Sequence, residues 1–230
     1  MSVAVGTTAA QTPLQPNFGG LKGQVAGYVQ GKSLPAVLTD AGAAINSAIN
    51  KINTKTWHWL NRQETLTLVT DQRTYTIAAN FKKPYSLFRL DSNSKQQGRL
   101  VFQIPALFFA TEWSDAISGA PEHYTVRNAP DDRLLTLSVP PSSTFVASFP
   151  TLQLSYYARL ARFSDDGDTI GDLKAPPEVA EFLDWYAKWK VASTRGSASQ
   201  IRTANTAWKE IWRDLRTDDF DEQSDYGSYR

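Results

Sequence analysis

The sequence has no cysteine, only two histidines and no long apolar run, and each absence removes a class of chemistry. Without cysteine there is no disulfide framework, no thiolate zinc site and no thiol nucleophile, so thiol redox chemistry is excluded. No stretch approaches the roughly 18 unbroken apolar residues that cross a bilayer, which excludes a membrane-spanning helix; no membrane partner is expected. The charges nearly cancel, 24 Lys and Arg against 23 Asp and Glu. A dedicated nucleic-acid binder draws its affinity from neutralising phosphates, so this balance argues against tight gripping of DNA. The opening MSVAVGTTAA lacks the basic and apolar regions of a secretory signal. The expected setting is a reducing cytoplasm, unless the chain leaves as part of a particle.

What is present is enough chain, 230 residues with 41% hydrophobic, to bury a core as one elaborated domain or two small ones. Six of the 13 glycines precede residue 36, a stretch whose only charges are Lys22 and Lys32, and residues 1–34 read as a flexible arm. From Pro35, Ala41, Ile45, Ala48, Ile49 and Ile52 recur at helical spacing with Thr39 or Asp40 as N-cap, so residues 35–60 hold a first helix that runs into Trp57 and Trp59. The period then switches to two: ETLTLV, RTYTI, YSLFRL, RLVFQI, HYTV, LLTLSV and LQLSYY are seven short strands separated by turn residues, an antiparallel sandwich or barrel over residues 61–160. Between the fourth and fifth, a short helix is expected over residues 106–113.

Residues 161–176 read as a loop and 177–216 as a helical hairpin. Pro177 suits a first helical turn, Gly196 ends the first helix, and Ile201, Ala204, Trp208, Ile211 and Leu215 make a heptad-like seam on the second. Residues 217–230 form an acidic arm. The fold class is therefore α+β, a small antiparallel β-domain inserted between an N-terminal helix and a C-terminal helical hairpin, with an extended arm at each end.

Chemistry is hard to find. His58 stands between tryptophans and His123 in APEHY, neither near a nucleophile-elbow serine, and both read as packing or surface residues. SDDGDTIGD carries Asp165, Asp166, Asp168 and Asp172 but misses the ligand order of a calcium loop, so it reads as a solvated connection. GGLKGQVAGYVQG matches no phosphate-cradling pattern. No catalytic, cofactor or metal site is assigned. Trp185, Trp189, Trp208 and Trp212 come as i, i+4 pairs on expected helices, which suits helical packing or a subunit interface better than a sugar platform.

The order of these blocks resembles the head-to-tail adaptor, or connector, proteins of tailed bacteriophages. The resemblance rests on AINSAINKINTKTWHWLNRQETLTLV, on Gln72-x-x-Tyr75-x-Ile77 with Asn80-Phe81, on Ser118-Gly119-x-Pro121-x-x-Tyr124, and on LTLSVPP followed by LQLSYYARL. It spans about residues 35 to 216. Asp71 stands where the family has glycine, Ala78 where it has proline, and Pro140 and Pro141 are adjacent rather than spaced. The resemblance implies a structural virion protein at the neck, made in the host cytoplasm, whose copies, commonly twelve, form a ring under the portal. The ring would extend the channel for double-stranded DNA, without sequence-specific binding, and meet tail nozzle or tube proteins. In that reading Phe220, Tyr226, Tyr229 and Arg230 dock on the portal protein. Two readings of other classes stand beside it: a carbohydrate-binding, tube or gatekeeper module of the tail, and a peptidoglycan hydrolase.

Overall fold

The computed structural model describes residues 17–30, 34–111, 113, 117–129, 132–169 and 175–227. In chain order its elements are α1 (Phe18–Tyr28), α2 (Pro35–Asn53), a 3-10 turn (His58–Leu60), β1 (Asn61–Thr67), β2 (Thr74–Thr76), β3 (Phe81–Leu90), β4 (Gln96–Phe102), α3 (Pro105–Ala110), β5 (His123–Ala129), β6 (Asp132–Leu137), α4 (Ser143–Ser148), β7 (Thr151–Ala158), α5 (Pro177–Arg195) and α6 (Ala198–Gly227). The α+β expectation is met, and the elements group into two compact units.

The first unit runs to Lys51 and resumes from Arg162 to Thr217. It contains α1, which corrects the expectation of a flexible arm over residues 1–34. Glycine is a poor helix former, and FGGLKGQVAGY has four in eleven residues. Docking supplies what propensity lacks. Phe18, Leu21, Val25 and Ala26 are buried, the Asn17 side chain caps by accepting from the Gly20 amide at 2.8 Å, and the Phe18 and Gly19 amides donate to the Asp168 and Asp166 carbonyls. Lys22 pairs with Asp166 as well. The acidic loop is thus a clamp on the start of α1 rather than a solvated connection. The Asp168 carboxylate shapes it, accepting from the Ser164 and Asp165 amides at 2.6 and 2.9 Å.

In α2 the helix starts at Pro35, ahead of the expected caps, and the Thr39 hydroxyl instead donates to the Pro35 carbonyl. Its apolar face, from Val37 through Ala41, Ile45, Ala48 and Ile49, is buried. An amide on another face completes the packing: Asn46 exchanges two hydrogen bonds with the Phe163 backbone, at 2.9 and 3.0 Å. α5 begins at Pro177 and ends at Gly196, where a Cβ would lie 2.8 Å from Ala192. α6 has 30 residues and continues as helix to Gly227, so residues 217–227 are not an extended arm along their backbone.

The second unit comprises residues 52–161 together with 218–230. The first helix stops at Asn53 rather than near residue 60; Asn53 exchanges two hydrogen bonds with the Leu160 backbone, and the buried Trp57 indole donates to the Ile52 carbonyl at 2.8 Å. All seven expected strands form, in one curled sheet of order β1-β7-β3-β4-β5-β6-β2. Leu152, Leu154, Tyr156 and Ala158 of β7 alternate into the core as a period of two requires. The sheet is mixed rather than antiparallel, because β4 and β5 run parallel through Val101–His123 and Phe102–Tyr124. That pairing needs a crossover, and the segment holding α3 supplies it. Pro84 falls within β3, where it cannot donate; the β3–β7 register shifts there and β4 pairs only from Leu87 onward. The Ala78 amide donates to Glu64 Oε2 at 3.1 Å, drawing the edge strands β1 and β2 toward one another.

Candidate functional site

Three surfaces stand out, two of them built from residues singled out by sequence. The first is the aromatic face of the α5–α6 hairpin. Phe182, buried, meets Trp212 at 4.9 Å and Trp208 at 6.4 Å between centroids. Trp208 also meets Tyr186 and Trp189, both at 5.4 Å. Trp185 turns to α1, edge-on to Tyr28 at 5.9 Å, with the Lys188 ammonium 4.5 Å from its ring. Lys188 is held by Asp184 at 2.6 Å, one turn away. Burial pushes the Asp184 carboxyl above its ordinary value, and the bond from Lys188 offsets part of that rise. All four tryptophans are half-buried and touch other rings of the same unit.

The second is a corner of the β-unit where three of the resemblance blocks meet. The Asp71 amide donates to the Pro141 carbonyl, the Gly119 amide to the Pro140 carbonyl, and the Ser142 amide to the Gly119 carbonyl, while the Ser118 hydroxyl donates to the Asp71 carboxylate. Asp71 has φ +62°, the left-handed region that favours glycine, the residue the resemblance led us to expect at this position. Gln72 and Tyr75 build the same turn: the Tyr75 hydroxyl donates to the Gln72 carbonyl at 2.8 Å and accepts from the Val69 amide at 3.3 Å. Arg73 donates to the Leu137 carbonyl at 2.7 Å. These blocks shape backbone. Sequence reading missed Arg73 and the role of Ser118; the signal available was the non-glycine residue at a glycine position.

The third surface was not foreseen. Val101, Phe102, Ile104, Leu107, Phe109 and Ile117, from β4 through the loop after α3, are between 39% and 69% exposed. Phe108 is the anchor, fully buried, while the Trp113 indole donates to its carbonyl at 2.9 Å. The Trp113 ring is flanked by Phe108 at 5.6 Å and His123 at 5.4 Å. Trp113 thus packs against two rings of its own unit. The Arg127 guanidinium lies 4.5 Å from the Phe109 ring beside this strip. The expected helix over residues 106–113 is shorter here, ending at Ala110.

His58 lies in the 3-10 turn and His123 at the start of β5. Among the described residues no group of three or more His, Asp and Glu could hold a metal ion, and no helix is long and apolar enough to cross a membrane. Of the residues assigned to portal docking, Phe220 and Tyr226 lie on the helical backbone of α6, and Tyr229 and Arg230 lie outside the described residues.

No curated protein matches the sequence. Seventeen chains of solved structures match. One is from the neck of a native GTA particle computed with C12 symmetry, 13% identical, covering 73% of this chain and 75% of that one at a TM-score of 0.27. The assignment therefore rests on the family model of the SU10 adaptor protein, which matches residues 16–229, nearly the whole chain. The phage-adaptor resemblance of the ordered blocks is thereby met: the chain belongs to the SU10 adaptor protein family.

Proposed function

We propose that this structural adaptor of the phage head–tail junction works as a closed ring of identical copies beneath the portal. The observation that carries the reading is the family match over residues 16–229. Ring closure needs a heterologous contact, one patch of a copy against a different patch of the next. Apolar residues around α3, Ile104, Leu107 and Phe109 among them, are about half exposed, and exposed apolar surface of this kind suits a contact site. Twelve copies would match the portal, the ring's bore would continue the DNA channel, and the far side would receive tail nozzle or tube proteins. Residues 217–230, with Phe220, Tyr226, Tyr229 and Arg230, would dock on the portal, and Trp185, Trp189, Trp208 and Trp212 would stiffen the hairpin that carries them. The protein would wait in the host cytoplasm and end in the virion neck.

The experiment is co-sedimentation with the cognate portal protein of the full chain and of a chain lacking residues 217–230. The full chain is expected to travel with the portal, and the shortened one to remain folded but stay behind. Normal binding by the shortened chain would contradict the docking assignment.

A further inference from the structure

The near-neutral total conceals one strongly charged face. On α6 the exposed cations Arg202, Lys209, Arg213 and Arg216 fall at i, i+7, i+11 and i+14. At about 100° per residue these four lie within about 60° of one another, a stripe roughly 21 Å long. The seam that includes the buried Ala204 and Leu215 lies on the opposite side of the helix. Between the cations the same face carries Thr206, and Thr217 beside its end donates to the Arg213 carbonyl. The acids of this stretch, Glu210 and Asp214, sit about a quarter turn or more away. Arg213 meets Asp214 at 3.3 Å across an exposed pair, a contact of little energetic weight. Among the described residues Arg202, Lys209 and Arg216 enter no ion pair.

We propose that this stripe is a sequence-independent binding face for the phosphate backbone of double-stranded DNA. The inference rests on the adaptor reading, in which duplex DNA passes through the ring. Duplex DNA offers one negative charge per about 1.7 Å, so a stripe of this length meets a continuous row of phosphates. Charge complementarity dominates the interaction: four cations and no cluster of amides to read base edges line the face between Arg202 and Arg216, so it can follow the backbone without fixing a register. Four cations per copy give weak, salt-sensitive contacts. That is compatible with DNA moving past, and it explains how a chain of balanced total charge can still address a polyanion.

The test uses the full chain, labelled duplexes of two unrelated sequences, and polyglutamate as an acidic polypeptide. The quadruple variant Arg202→Gln, Lys209→Gln, Arg213→Gln, Arg216→Gln keeps good helix formers on an exposed face, and the four single variants guard against a fold defect. The wild type is expected to bind both duplexes equally, with log K falling against log salt at a slope of about −3 to −4. Each single change should reduce that slope by about one, and the quadruple variant should lose at least about tenfold in affinity at low salt. Unchanged binding by the variant, no duplex binding by the wild type, a preference for one sequence, or tighter binding to polyglutamate would each overturn the proposal. Portal co-sedimentation of the same variant separates the two readings. It is expected to persist; its loss with duplex binding intact would make the stripe a protein contact and overturn the inference. A wild type that binds duplex through the stripe yet never joins the portal would support the stripe and contradict the adaptor ring.

Discussion

Asp71 holds a left-handed backbone, φ +62°, at the corner where the Ser118–Gly119 and Pro140–Pro141 segments meet β2. Its carboxylate gains a bond from Ser118, which glycine would lose, while glycine would remove the backbone strain. Asp71→Gly should therefore change stability little, whereas Asp71→Ala, which keeps the strain and loses the bond, should cost about 1–2 kcal/mol by denaturant unfolding. Phe182 is the best-buried ring of the hairpin, and Phe182→Ala should cost about 3–5 kcal/mol. Asp168 sets a pH limit. The Asp165 and Ser164 amides hold its carboxyl below the ordinary value of 3.8, so the folded state binds the proton less readily than the unfolded chain. The clamp is then fully formed above that value and is lost as pH falls below it through the folded value. Hydrogen exchange should show α1 losing protection on acidification, and Asp168→Ala should show the loss already at neutral pH.

At the scale of elements, α1 is a helix made by its surroundings. An added Cβ at Gly23 meets nothing within 4 Å, so Gly23→Ala should stabilise the protein by about 0.5–1 kcal/mol. Gly196→Ala would drive its Cβ against Ala192 and should lower the melting temperature. The same contrast explains what sequence could show. Alternation in LQLSYY and the helical spacing of Ala41, Ile45 and Ile49 are local signals, and the elements they mark all form. The glycines before residue 28 hid α1, because its stability comes from Asp166, Asp168 and α5, far away in sequence. Nothing local distinguishes a parallel from an antiparallel partner for β4. The acidic run after Asp214 read as an arm, yet the helix begun at Ala198 carries through it to Gly227. Of the candidate surfaces, the tryptophan pairs were legible from i, i+4 spacing. The strip from Val101 to Ile117 was not, since exposure of an apolar residue depends on which side of the crossover faces the core.

For the whole molecule, total charge proved less informative than its distribution: six acids after residue 213 offset a basic face on the same helix. Surface that folding does not use should be separable from surface that it does. Ile104→Ser with Leu107→Ser, both more than half exposed, should leave unfolding free energy within about 0.5 kcal/mol of wild type while weakening association between copies in sedimentation. The central claim is that identical copies of this adaptor close on one another around the portal axis. Electron microscopy of the full chain mixed with its cognate portal tests it most directly. The account predicts a continuous added ring on one face of the portal with an open bore; bare portals, or scattered single copies that never close, would contradict it.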